Sequence, residues 1–141
     1  MILLDANLLL YAYNTAFDRH LVARRWLEET FGSGEPIGLP WPTVLAFLRL
    51  ATNPRVFPRP LSPDEAGAIV DAWLAHPTTV LVHPGERHWQ ILRSFLRTGV
   101  RGPQVVDAHL AALAIEHGAA LATADRGFAA YPGLRLIHPI D

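Results

Sequence analysis

The sequence predicts a three-layer α/β domain built from parallel β-α-β units, and three observations predict it. Short apolar runs alternate with amphipathic stretches of about 10–15 residues, the spacing at which a strand, a crossover helix and the next strand follow one another. Half of the 141 residues are hydrophobic and only 18% are charged, enough apolar surface for one sizeable core. The 12 Pro and 10 Gly are spread along the chain, so they punctuate elements and mark no linker or low-complexity tract. One domain over 1–141 is expected, with no internal repeat.

Ile2 to Leu4 reads as a short buried strand, broken by Asp5-Ala6-Asn7 before the apolar run Leu8 to Tyr13. From Asp18 to Phe31 the pattern is helical, with Val22 and Trp26, then Leu27 and Phe31, at i, i+4; Asp18 is the expected N-cap and Gly32 the terminator. Ile37 to Leu39 is a second strand. Pro40-Trp41-Pro42 leads into a helix that runs to about Thr52, where Asn53-Pro54 stops it, because the residue before proline is pushed out of the α region. The prolines of 53–61 suggest an ordered loop.

Ser62-Pro63-Asp64-Glu65 offers a capping box with proline at the first helical position. Behind it Ala66, Ile69, Val70, Trp73 and Leu74 form one apolar stripe. Val80 to Val82 is a third strand, Glu86 to Thr98 a helix, and Val105 to His117 a very apolar helix ending at Gly118. Leu121 to Thr123 and Leu134 to Ile137 complete the strands.

Composition removes several chemistries. With no Cys there is no disulfide framework, thiolate zinc site or cysteine nucleophile. All twelve basic residues are Arg, which excludes the phosphate-binding lysine of a P-loop and any Schiff-base lysine. None of the three Ser lies in G-x-S-x-G, and the seven His contain no H-x-x-x-H or H-E-x-x-H pair. A net charge of −1 writes no basic footprint, so a nucleic-acid partner has to be argued from a site. No apolar run approaches the roughly 18–20 residues of a membrane span, and the N-terminus lacks the basic flank of a signal peptide. A soluble, cytoplasmic protein is expected.

Ligands of open α/β sheets bind outside the carboxyl ends of the strands. Asp5 directly follows the first strand, Asp125 closely follows the fourth, and Asp107 opens the apolar helix VVDAHLAALAIEHG. Each has a plain structural role open to it: a strand-end turn for Asp5, a helix cap for Asp107, a tight turn for Asp125. Jointly, in a chain so poor in charge, they point to a metal site. Carboxylate ligation suits a hard cation, Mg²⁺ or Mn²⁺, over zinc.

The stretches MILLDANLLLYAY, WPTVLAFLRLATNPRVF, VVDAHLAALAIEHGAALATAD and FAAYPGLRL, spread over essentially the whole chain, resemble PIN domains. Within them the chain is similar to the VapC toxin ribonucleases of bacterial toxin–antitoxin pairs. The resemblance implies a PIN-like α/β/α sandwich with a central, mainly parallel sheet of four to five short strands. It also implies Mg²⁺-dependent hydrolysis of RNA phosphodiesters at Asp5, Asp107 and Asp125, a VapB-like antitoxin and a homodimer. It departs at one position: the acid common on the third helical stretch is Ala46 here, leaving three carboxylates and no clear second metal.

Asn7 is a candidate for orienting Asp5 or a metal-bound water, with a plain helix-start role equally open. Arg49, the one charge on its helix, reads as one half of a structural ion pair before a phosphate contact. Thr52 matches the family motif or simply ends a helix. The four Trp read as core packing ahead of base stacking. Two other classes stand beside the ribonuclease: a binding module that kept the fold and lost activity, and a phosphatase or phospho-receiver. The latter is disfavoured because the chain has neither the second Asp of D-x-D nor any lysine.

Overall fold

A computed structural model describes residues 1–140. Its elements run β1 (Ile2–Leu4), α1 (Ala6–Ala12), α2 (His20–Gly32), β2 (Ile37–Pro40), α3 (Trp41–Ala51), α4 (Pro63–Ala75), β3 (Thr79–Val82), α5 (His88–Leu96), α6 (Gln104–Glu116), β4 (Ala120–Ala122) and β5 (Arg135–Ile137), with a 3-10 turn at Arg126–Ala130 between the last two strands. The five strands form one sheet in the order β3-β2-β1-β4-β5, and every pairing is parallel.

Two cores cover the two faces. The strand period of two sends Leu4 to one side, where it packs with residues of α1–α4, and Leu3 to the other, against α5, α6 and the 3-10 turn. Gly38 makes the middle of the sheet fit, since a Cβ there would lie 2.8 Å from Leu3 Cδ1 and 2.9 Å from Val82 Cγ2. On the first face Trp73 is buried, stacks edge-on against Phe47 at 4.7 Å and donates to the Tyr13 hydroxyl at 3.1 Å.

Local signals place most boundaries. Ser62 and Glu65 form the reciprocal capping box that starts α4, and Gly118, at φ 63°, follows α6 in the left-handed region. Two cap assignments change. Helix α2 starts at His20, its N-cap Arg19 makes no side-chain cap bond, and Asp18 lies outside it; Gly32 is still helical and Ser33 is the C-cap. Helix α5 starts at His88 and ends at Leu96, shorter at both ends than its apolar pattern; just before its start the Glu116 carboxylate accepts from Gly85 N at 2.7 Å and Arg87 N at 2.8 Å.

The order of the strands decides where a site can form. The chain leaves β1 on one side to build β2 and β3 and returns on the other side to build β4 and β5, so the carboxyl ends of β1 and β4 flank the switch point of the sheet. Helix α6 runs into β4 antiparallel to it, which brings its N-terminus to that same edge. Ligand crevices of open α/β sheets form at such points.

Candidate active site

Asp5, Asp107 and Asp125 meet at this edge. Asp5 caps α1, Oδ1 accepting from Ala6 N at 2.8 Å and Oδ2 accepting from Thr123 Oγ1 at 2.7 Å. Thr123, fully buried just beyond β4, also accepts from Asp125 N at 2.9 Å and from Asn7 Nδ2 at 3.5 Å. Asn7 Oδ1 accepts from Ala124 N at 3.3 Å. Asp125 caps the 3-10 turn, its Oδ1 accepting from Gly127 N at 2.8 Å. Asp5 and Asp125 thus fill the turn and cap roles the sequence allows, and face the crevice as well.

Asp107 is different. The N-cap of α6 is Pro103, so Asp107 sits one turn into the helix and does not cap it. Its carboxylate is half-buried and none of the hydrogen bonds among the described residues involves it. Burial raises its pKa above the usual carboxylate range, and the charges of Asp5 and Asp125 raise it further. Burial likewise raises Asp5, Thr123 and Ala6 N pull it back, and Asp125 pushes it up. Neither ion pair among the described residues, Met1–Glu35 and Arg24–Glu28, touches the three acids.

This donor set fits a hard divalent cation: oxygen atoms only, crowded negative charge, and a positive helix end at Asp107. Among the described residues no three His, Cys, Asp or Glu side chains are drawn together tightly enough to enclose an ion.

The PIN domain family matches residues 2–134, which takes in all three acids. This chain belongs to it. The PIN domain is 42% identical to a VapC ribonuclease of Mycobacterium bovis, covering 100% of this chain and 97% of the relative, and 44% identical to ribonuclease VapC37 of Mycobacterium tuberculosis, covering 99% and 97%. It therefore belongs to the VapC branch of the family. Among solved structures it is similar to VapBC2 of Rickettsia felis bound to a promoter DNA fragment (TM-score 0.68, 18% identity, covering 97% and 98%) and to VapC20 of Mycobacterium tuberculosis, a Sarcin-Ricin loop cleaving toxin (0.65, 17%, covering 96% and 99%). These share the sandwich fold.

The remaining candidates of the PIN domain divide. Asn7 joins the site through Thr123 and Ala124. Thr52 does not: its hydroxyl donates to Leu48 O at 2.7 Å and finishes α3. Arg49 is exposed and, among the described residues, forms no ion pair, against the expected structural pair; α3 turns its side chain outward to solvent. Core packing holds for Trp73 alone without qualification. Trp26 is half-buried, while Trp41 and Trp89 are 44% and 62% exposed, because both open helices whose buried stripe lies on another face.

Sequence reading misses Thr123, Tyr131 and a histidine pair. Thr123 looks like any strand-end threonine until β1 and β4 are paired. Tyr131 is buried, packs edge-on against Phe95 at 4.9 Å and donates to Gln104 O at 3.4 Å in the first turn of α6; burial, then Asp107 and Asp125, raise its phenol. His88 Nε2 lies 2.9 Å from His109 Nδ1, joining α5 to α6.

Proposed function

We propose that this chain is the toxin of a toxin–antitoxin pair, a Mg²⁺-dependent endoribonuclease with Mn²⁺ as a substitute ion, acting as one PIN-like domain over 1–141. The observation that carries it is the meeting of Asp5, Asp107 and Asp125 at the switch point of the sheet, in a chain whose full-length relatives are named ribonucleases.

The three aspartates would hold the cation, Asp5 and Asp107 directly and Asp125 directly or through water. When bound, the ion stabilises charge on the scissile phosphate and lowers the pKa of water. The chain's own groups do the rest. Asp5 is fixed by two hydrogen bonds, so its carboxylate is a rigid anchor. Asp107 has no such tether among the described residues, and a bound cation would offset the crowding of its charge by Asp5 and Asp125. Hydrolysis adds water across one P–O bond: the water oxygen bonds to phosphorus, its proton passes to one of the site's carboxylates, and the leaving ribose oxygen takes a proton from solvent.

For partners, the solved neighbours include toxin–antitoxin complexes, and α2 carries Leu21 and Val22 at 75% and 53% exposure. These support docking of a VapB-like antitoxin helix on the first helices, with an antitoxin Arg reaching the acids, and exposed apolar surface supports a homodimer. No helix is long and apolar enough to cross a membrane. The test is cleavage of total RNA with Mg²⁺, with and without EDTA, against Asp5→Asn. Metal-dependent cleavage lost in the variant is the expected result, and so is growth rescue on co-expression with the adjacent small open reading frame. An Asp5→Asn protein that cleaves like the parent defeats the site assignment.

A further inference from the structure

The first turn of α3 stands beside the acids. Register carries Leu3 opposite Gly38, so Pro40 lies level with Asp5, one strand spacing (~4.8 Å) across the sheet, and Trp41 follows it. A buried hydrogen bond from Thr43 Oγ1 to Leu4 O, 2.8 Å, fixes this turn to the residue before Asp5. Trp41 is nevertheless 44% exposed, a large aromatic left in water at the rim of the crevice. Leu45, 59% exposed, and Arg49, also exposed, follow at i+4 and i+8, so one outward stripe runs from the acids as aromatic, aliphatic, guanidinium.

We propose that Trp41 is the base-stacking residue of the substrate site, holding a nucleobase next to the scissile phosphate, with Arg49 further along the stripe on a flanking phosphate. The inference rests on the ribonuclease reading. An acidic centre repels a polyanion, so affinity has to come from groups beside it, and an aromatic face with a cation in line offers stacking and charge together. The guanidinium in line with the indole, and the continuity of the stripe with the acids, favour single-stranded RNA as its occupant over an apolar protein surface.

The experiment compares parent, Trp41→Leu, Trp41→Phe and Leu45→Arg on a labelled single-stranded RNA oligonucleotide that the parent cleaves. Stacking predicts that Trp41→Leu raises KM about 5- to 30-fold while kcat stays within about twofold, and that Trp41→Phe restores most of the loss. Leu45→Arg adds a cation to the stripe, so its KM is expected at or below the parental value, with the parental mass by light scattering. A parental KM for Trp41→Leu, or a reduced particle mass for Leu45→Arg, overturns the proposal; the second result makes the stripe a protein interface. A parent that cleaves no RNA with any divalent cation overturns the ribonuclease reading, and this one with it.

Discussion

Thr123 Oγ1 donates to Asp5 Oδ2 at 2.7 Å, a bond that spans 118 residues of sequence and joins the ends of β1 and β4. The same oxygen accepts from the backbone N–H of Asp125, so one buried hydroxyl sets two of the three acids. Replacing it with a methyl leaves a half-buried carboxylate without its donor and a backbone donor without its acceptor. Thr123→Val is expected to cost about 1–3 kcal/mol of stability and a large part of the activity, whereas Thr123→Ser keeps both. Thermal melting and RNA cleavage of the two variants check this; a fully active Thr123→Val shows that Asp5 needs no tether.

Asp107→Asn is expected to lose cleavage by about 10²-fold or more while the metal-free fold is retained or stabilised. A carboxyl whose folded pKa is raised supports the fold fully only below its unfolded pKa, and that support is lost as pH rises through the folded value. At neutral pH the charged Asp107 is therefore a liability without metal, and the melting advantage of the Asn variant should shrink as pH falls toward 4. Melting curves in EDTA at pH 7 and pH 4.5 decide it.

The histidine pair behaves in the opposite sense. Burial lowers His88 and His109 below the ordinary imidazole range, and each is lowered further by a neighbouring imidazole, His117 for His88 and His88 for His109, while Glu116 raises His88. Depressed imidazoles contribute stability that is present above about pH 6.5 and lost as pH falls through their folded values. His88 is buried with Nδ1 lacking a hydrogen-bond partner, so an apolar ring suits the position. His88→Phe is expected to lose less melting temperature than the parent between pH 7 and pH 5. An equal slope in both proteins contradicts the assignment.

Ala46 is half-buried on α3, between exposed Leu45 and buried Phe47, three residues after the Thr43 that bonds β1. It shares the side of the helix that faces β1 and retains access to water, so Ala46→Glu does not bury a lone charge. Metal-free melting is expected to change little, with Mg²⁺ acting at lower concentration and raising the melting temperature more than in the parent. Calorimetric titration and melting with and without Mg²⁺ read both effects; unchanged Mg²⁺ dependence means that three aspartates form the whole site.

Much of the fold is legible locally. The five short strands, the capping box at Ser62 and Glu65, and the glycine stop at 118 are decided by neighbours a few residues apart; the structure keeps the box and the stop and places each strand within one residue of its expected bounds. The caps at Asp18 and Gly32 are exceptions, and Asp107 does not take the cap role open to it, because a capping residue type marks a helix end only where tertiary packing lets the helix end there. The three aspartates are readable as candidates because a charge next to an apolar run stands out in a chain only 18% charged.

By itself, then, the sequence determines the element types, the absence of thiol and lysine chemistry, and the acids worth testing, since each depends on residue identity and short-range periodicity. Tertiary structure alone decides which of those acids meet, that Thr123 and Tyr131 stand behind them, that Thr52 and Arg49 do not join them, and that Trp41 faces water. The physical reason is pairing: β1 meets β4 across more than a hundred residues of chain, and α6 arrives antiparallel to β4, so the site exists only where long-range strand order brings distant ends together.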